Sequence, residues 1–184
     1  MDRRFEARAP NRLHGADITY VRMANGSFGY TAFAAGVYAR RIVGWACAMT
    51  MNTQEPPLQA LGQAISWAAS RGGTDGLIRH GDHGTQYIGT VYTTRVMEYG
   101  MLPSTGTVGD SYGNAMTEYA DGAYKTELVW RRKPFADLAE PELATFWWAS
   151  WWNSKRLHQS LGYRTPEAVE TEYHQHQAAQ AASL

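Results

Sequence analysis

Cysteine is almost absent from this chain: Cys47 is the only one. That excludes an internal disulfide and any cysteine-based metal cluster, and it suits a reducing cytoplasm. No run of 18 or more apolar residues occurs, and no charged-then-apolar leader opens the chain, so neither a membrane span nor a secretory signal is expected. An excess of either charge is missing too, because 17 Lys and Arg balance 17 Asp and Glu. Nucleic-acid binding usually shows as surplus Lys and Arg, so such a role would have to rest on local basic positions or on parts this chain lacks. What is present is a globular composition, 44% apolar and 18% charged over 184 residues. This is enough for one domain with a real core plus a tail.

Residues 1–14 are polar and read as a lead-in. Ala16–Arg22 alternates apolar and polar with β-branched residues and predicts a strand. Asn25-Gly26 signals a hairpin turn. Two further strands follow, Phe28–Tyr38 and Ile42–Met49, broken at Ala39-Arg40-Arg41, so the first part is an antiparallel meander. The period then changes. Thr53 can cap, Pro56 and Pro57 suit a first turn, and Leu58, Leu61, Ile65 and Ala68 form a helical stripe ending near Gly72-Gly73. A short strand begins at Leu77-Ile78, a helix is expected over Thr85–Tyr99 closed by Gly100, and Met101–Ser104 is a short fifth strand. Asn114 is the expected cap of a helix through Leu128 with Met116, Ala120 and Ala123 facing the core. After Pro134 comes a helical segment with Phe146, Trp147, Trp148, Trp151 and Trp152, and Thr165-Pro166-Glu167 starts a last short helix whose polar end frays. The layout is mixed α/β, a five-stranded sheet flanked by helices. The expected division is a lead-in (1–14), a core (15–133), a C-terminal helical extension (134–173) and a flexible tail (174–184).

Three carboxylates sit where this layout can gather them. Asp17 is on the first strand, Asp82 ends the fourth, where open α/β sheets place ligands, and Glu118 is in the first turns of the following helix. Thirty-five residues separate Asp82 from Glu118, and Lys125 follows seven later on the same helical face. Singly, an Asp after a strand is usually a cap and a helical Glu is usually solvated. Together they suit phosphodiester chemistry, in which two hard cations about 3.5–4 Å apart activate the attacking oxygen and stabilise the leaving one. Mg²⁺ takes oxygen ligands of this kind.

These residues lie in stretches that resemble the integrase catalytic core of bacterial insertion-sequence transposases, the branch closest to retroviral integrases. The stretches are ADITYVR around Asp17, RRIVGW at 40–45, HGDHGTQY around Asp82, VGDSYGNAMTE up to Glu118, YKTEL at 124–128 and RLHQSLGYRTPE at 156–167. The resemblance spans roughly residues 5–173. It implies an RNase H-like fold and a DDE site in which Asp17, Asp82 and Glu118 hold two Mg²⁺, with Mn²⁺ able to substitute. It also implies DNA hydrolysis at element ends, strand transfer by a 3′-hydroxyl, and a homo-oligomer on DNA in a bacterial cytoplasm, at the nucleoid. No membrane and no small-molecule cofactor are implied. Lys125 matches the basic position after the glutamate, and Arg131, Arg132 and Lys133 are further candidates for the DNA backbone. Similar proteins usually carry Trp where this chain has His14, Asp where it has Gly36 and Gly113, and often Arg where it has His83. The upstream helix-turn-helix-like region typical of the family is not in the sequence, so the expectation is an N-terminally truncated copy. A decayed, non-catalytic remnant that binds DNA or partner subunits is the alternative.

Rival motifs exist. Gly109-Asp110-Ser111-Tyr112-Gly113 fits a nucleophile elbow, with Asp137 and His158 following in the hydrolase order, so a serine hydrolase using Ser111 is a remote alternative. His80, Asp82 and His83 suggest a transition-metal site without a fourth ligand. The tryptophans are either core, subunit interface or a base-stacking platform.

Overall fold

The computed structural model describes residues 7–52, 55–81, 89–105 and 111–183, with the backbone alone at 105 and 111–114. Thr53 lies outside these residues, as do residues 82–88, and with them Asp82 and His83.

Strand β1 (Leu13–Arg22) is flanked by β2 (Phe28–Gly36) and β4 (Ile78–Gly81), and the sheet order is β3-β2-β1-β4-β5, with β3 at Arg41–Ala48 and β5 at Leu102–Thr105. β1, β2 and β3 are antiparallel; β4 and β5 run parallel to β1. The first turn is made by Gly26 at φ 84°, with the Asn25 side chain accepting from the Ser27 amide. Glycine supplies the positive φ at no steric cost. β1 starts at Leu13, three residues before the expected Ala16. Leu13–Ala16 pair with Ile78–Gly81, a long-range partnership that local alternation does not encode.

Helices cover both faces. On one, α1 (Pro56–Ala69) and α2 (Thr90–Glu98) bury Leu61, Ile65, Tyr92 and Val96 with Ala16, Leu77 and Met101. α1 lies so close to β3 that a Cβ at Gly44 would stand 2.1 Å from the Ala60 carbonyl oxygen; only glycine fits there. On the other face, α3 (Ser111–Tyr124), running on into a π-helical turn (Lys125–Val129), and α4 (Ala139–Ser154) close over Val21, Phe33, Ala35 and Ile42. Helix α5 (Pro166–Ala182) packs on α4.

Several boundaries differ from expectation. α2 begins at Thr90 after the extended Gly89, and residues 85–88 of the helix expected from Thr85 lie outside the described residues. α3 begins at Ser111, so Asn114 lies inside the helix rather than capping it. The last helix has 17 residues rather than a short core with a frayed end. Its terminal Ala and Gln residues are good helix formers. The tryptophans divide: Trp148 and Trp152 are core, while Trp147 and Trp151 are exposed.

Candidate active site

Alternation along β1 decides which way Asp17 faces. Ala16 and Ile18 pack under α1 and α2, whereas Val21 packs under α3, so Asp17 stands on the α3 side. It is half-buried, and its Oδ1 accepts from the Ile18 amide at 2.8 Å. Gly81, the residue before Asp82, pairs in register with Ala16, the residue before Asp17. Asp82 itself lies outside the described residues.

Helix α3 is held against the sheet by Met116, Ala120, Ala123 and Tyr124, all buried. The Tyr124 hydroxyl bonds Thr145 Oγ1 at 2.7 Å and Thr31 Oγ1 at 3.3 Å, joining β2, α3 and α4. This anchoring turns Glu118 to the exposed side. One turn later the same helix carries Asp121, which is buried and hydrogen-bonded to Asp17. Burial, then the nearby Asp17 carboxylate, push the Asp121 carboxyl up to about 9; Lys125 opposes this and Glu118 adds to it. Oδ1 of Asp121 has no hydrogen-bond partner among the described residues. Lys125 opens the π turn, its ammonium 4.6 Å from the centre of the Tyr20 ring.

Asp17, Glu118 and Lys125, singled out by type and spacing in the sequence, lie along β1 and one face of α3. Asp121 is not apparent from the sequence, although the position is three after Glu118 and four before Lys125, the spacing that puts helical residues on one face. Among the described residues no group of three His, Cys, Asp or Glu is close enough to hold a metal ion. Gly122 meets nothing within 4 Å of a built Cβ, so no internal contact explains glycine there. Arg131, Arg132 and Lys133 are exposed just beyond the π turn, and Arg131 Nε donates to the Thr126 carbonyl at 3.1 Å.

A second support comes from the segment after α4. Arg156 donates to Glu127 Oε1 through Nε (3.0 Å) and Nη2 (2.7 Å), and through Nη1 to the Tyr119 hydroxyl (3.1 Å). Glu127 also accepts from Trp148 Nε1 at 3.1 Å. One guanidinium thus ties the extension to the residue after Glu118 and to the π turn. His158 is buried, with Nδ1 facing Arg156 and Nε2 facing the Trp152 carbonyl; burial holds it below the usual histidine range. Both ring nitrogens are engaged, and Asp137 Oδ1 accepts from the Glu140 amide; the Ser111 side chain lies outside the described residues. His80 is buried and its Nδ1 faces Ser104 Oγ at 3.3 Å; the Asp82 and His83 of the same candidate metal site lie outside the described residues.

The unusual positions His14 and Gly36 face each other across β1 and β2. His14 is fully buried beside Arg79, and burial, then Arg79, hold its imidazole down to about 3. Arg79 is itself buried, donating to the Tyr92 hydroxyl (2.9 Å) and the Gly15 carbonyl (3.1 Å), with Nη2 unpartnered among the described residues.

Two integrase core domain models match the chain, one over residues 7–111 and one over residues 99–166. The chain is 44% identical over 177 residues to the putative transposase for insertion sequence element IS986/IS6110 of Mycobacterium tuberculosis (strain ATCC 25618 / H37Rv), covering 95% of this chain and 63% of that protein. It is 43% identical over 174 residues to the transposase for insertion sequence element IS629 of Shigella sonnei, covering 95% of this chain and 56% of that protein. The chain therefore spans less than two thirds of either relative. The HTLV-2 integrase catalytic core domain, solved in complex with magnesium, has a TM-score of 0.65 at 14% identity, covering 90% of this chain and 99% of that one. A chain of a simian T-cell lymphotropic virus intasome gives 0.63 at 13% identity, covering 90% and 56%. At such identities the likeness is one of fold, and the fold is RNase H-like.

Proposed function

The chain belongs to the integrase core family, with insertion-sequence transposases among its relatives, and on that premise we propose that it is the catalytic domain of a DNA transposase, a metal-dependent DDE polynucleotidyl transferase. The observation that carries the reading is the convergence on one spot of Asp17 from the sheet and the Glu118–Lys125 face of α3, beside the strand that leads into Asp82. The donor set fits a hard divalent cation: every candidate ligand is a carboxylate oxygen, and a buried one, Oδ1 of Asp121, has no partner. Asp17 and Asp82 would share two Mg²⁺ or Mn²⁺ ions and Glu118 would complete the second position. When bound, the ions would supply an activated attacking oxygen and a stabilised leaving oxygen.

The protein's own residues bind and orient. Lys125 stands one turn past Asp121 and would meet a phosphate flanking the scissile bond, and the exposed Arg131, Arg132 and Lys133 would follow the backbone beyond it. Arg156 fixes α3 from behind through Glu127 and Tyr119. No side-chain nucleophile is needed: water would attack the scissile phosphorus and release the 3′-hydroxyl, which would then attack a target phosphodiester and displace that strand's own 3′-oxygen as a hydroxyl. A homo-oligomer on DNA is part of the reading. It is supported by the exposed row Leu143, Trp147 and Trp151 on α4, spaced by four residues along one face. A non-catalytic remnant is the second reading, favoured by the buried Arg79, which has no carboxylate partner in its row of the sheet. Incubating labelled element-end duplex with Mg²⁺ and target DNA separates the two. Nicked and joined products that vanish with EDTA and in Asp17→Asn and Glu118→Gln support the enzyme. DNA binding without products supports the remnant.

A further inference from the structure

Asp121 belongs to no part of the proposed triad, yet it is the most constrained carboxyl near it. Only 7% of its surface is exposed. It is hydrogen-bonded to Asp17, and its Oδ1 is a buried acceptor without a donor. Burying an ionisable group costs several kcal/mol unless it is paired. An asparagine would hold the same shape and donate to Asp17 without that cost. A carboxyl that gains nothing from its charge inside the protein points to a positive charge from outside. The neighbourhood agrees: the charges acting on Asp121 are the Asp17 and Glu118 carboxylates and one ammonium, that of Lys125, which also lies against Tyr20.

We propose that Asp121 is a fourth acidic residue of the metal site, its carboxylate turning from Asp17 to share a divalent cation with it. The proposal rests on the metal-dependent reading above, and its geometry supplies what that reading lacks: an oxygen-only donor pair, one half-buried and one buried, contributed wholly by β1 and α3. Asp121 would hold the cation on the side of the helix, while Glu118, one turn earlier and exposed, would keep the second position. Occupancy would draw α3 onto β1 through Asp17 and Asp121 together.

The test is calorimetric titration of Mn²⁺ alone into the chain and three variants, with circular dichroism to verify folding. Asp121→Asn is expected to weaken Mn²⁺ binding by about tenfold or more and to reduce the rise in melting temperature that Mn²⁺ produces. Asp121→Glu, which returns the charge, is expected to recover part of both. Asp17→Asn should abolish binding. If Asp121→Asn binds Mn²⁺ like the parent while Asp17→Asn does not, the metal-dependent reading stands and Asp121 is only a hydrogen-bonding core residue. If neither substitution changes binding, or the parent binds no Mn²⁺, both ideas fail. A purely structural Asp121 would shift the metal-free melting temperature without moving Mn²⁺ affinity.

Discussion

Placing an aspartate at position 36 tests the reading of the row Gly36–His14–Arg79. A Cβ built on Gly36 lies 3.8 Å from Cδ2 and 3.9 Å from Nε2 of the His14 ring, and 3.8 Å from the Arg41 carbonyl oxygen, all ordinary contacts. The carboxylate of Gly36→Asp would therefore come within about 4 Å of an imidazole that is fully buried and held down to about 3. Two unit charges at that distance interact by about 4 kcal/mol at an effective dielectric of about 20, which corresponds to about 3 pH units. The His14 pKa is thus expected to rise from about 3 to near 6. In the parent the depressed value means that the unfolded chain binds the proton first. Stability is then lost as pH falls from about 6.5 toward 3, by up to about 1.4 kcal/mol per unit. In Gly36→Asp most of that loss should disappear. The assay is an NMR titration of the imidazole carbon-bound protons, with His14→Gln identifying the resonance among six histidines, alongside melting at pH 5 and pH 7. Folded Gly36→Asp protein whose His14 still titrates below about 4 would refute the reasoning.

Three other substitutions probe separate parts of the account. Gly44→Ala must move α1 away from β3, because its Cβ would sit 2.1 Å from the Ala60 carbonyl. Overpacking of this kind costs about 1–3 kcal/mol, so thermal melting should show a drop of several degrees, and an unchanged melting temperature would mean the contact is looser than described. Gly113→Asp replaces glycine in the first turn of α3, removing part of its roughly 1 kcal/mol helix penalty and adding about 0.3–1 kcal/mol with the helix dipole. A rise of about 2–4 °C is expected, and a fall would show that this turn requires glycine. Lys125→Ala should weaken DNA binding alike across sequences and lower the salt slope by about one phosphate's worth; a sequence-dependent loss in a binding titration would contradict a backbone role.

The antiparallel meander and the helices over residues 56–69 and 111–129 are written locally, in alternation, Asn25-Gly26 and apolar stripes, and they emerge from the sequence with small boundary errors. The start of β1 at Leu13 and that of α3 at Ser111 are not local facts. The first depends on parallel pairing with β4, and at the second the sequence offers several capping residues close together, Asp110, Ser111 and Asn114, so local signals do not choose among them. Asp17 and Glu118 stand out in the sequence because their residue types, with Asp82, suit one chemistry, and their places beside β1 and α3 agree with that expectation. Asp121 was overlooked because a buried carboxylate among core alanines breaks the apolar stripe it sits beside, and only packing against β1 gives it a partner. The roles of Arg156 and His158 were equally hidden, since they depend on α4 folding back so that Glu127 and Tyr119 come within reach.

The central claim is that this chain breaks DNA through carboxylate-held divalent ions, and Asp82 is the residue on which the claim is most exposed. Asp82→Asn keeps the side chain's size and removes the charge a hard cation needs. Nicking of labelled duplex by the parent with Mg²⁺ should be measured beside that of the variant, both verified as folded by circular dichroism. The account predicts Mg²⁺-dependent nicks from the parent and none above background from Asp82→Asn. Equal cleavage by the two proteins would contradict it.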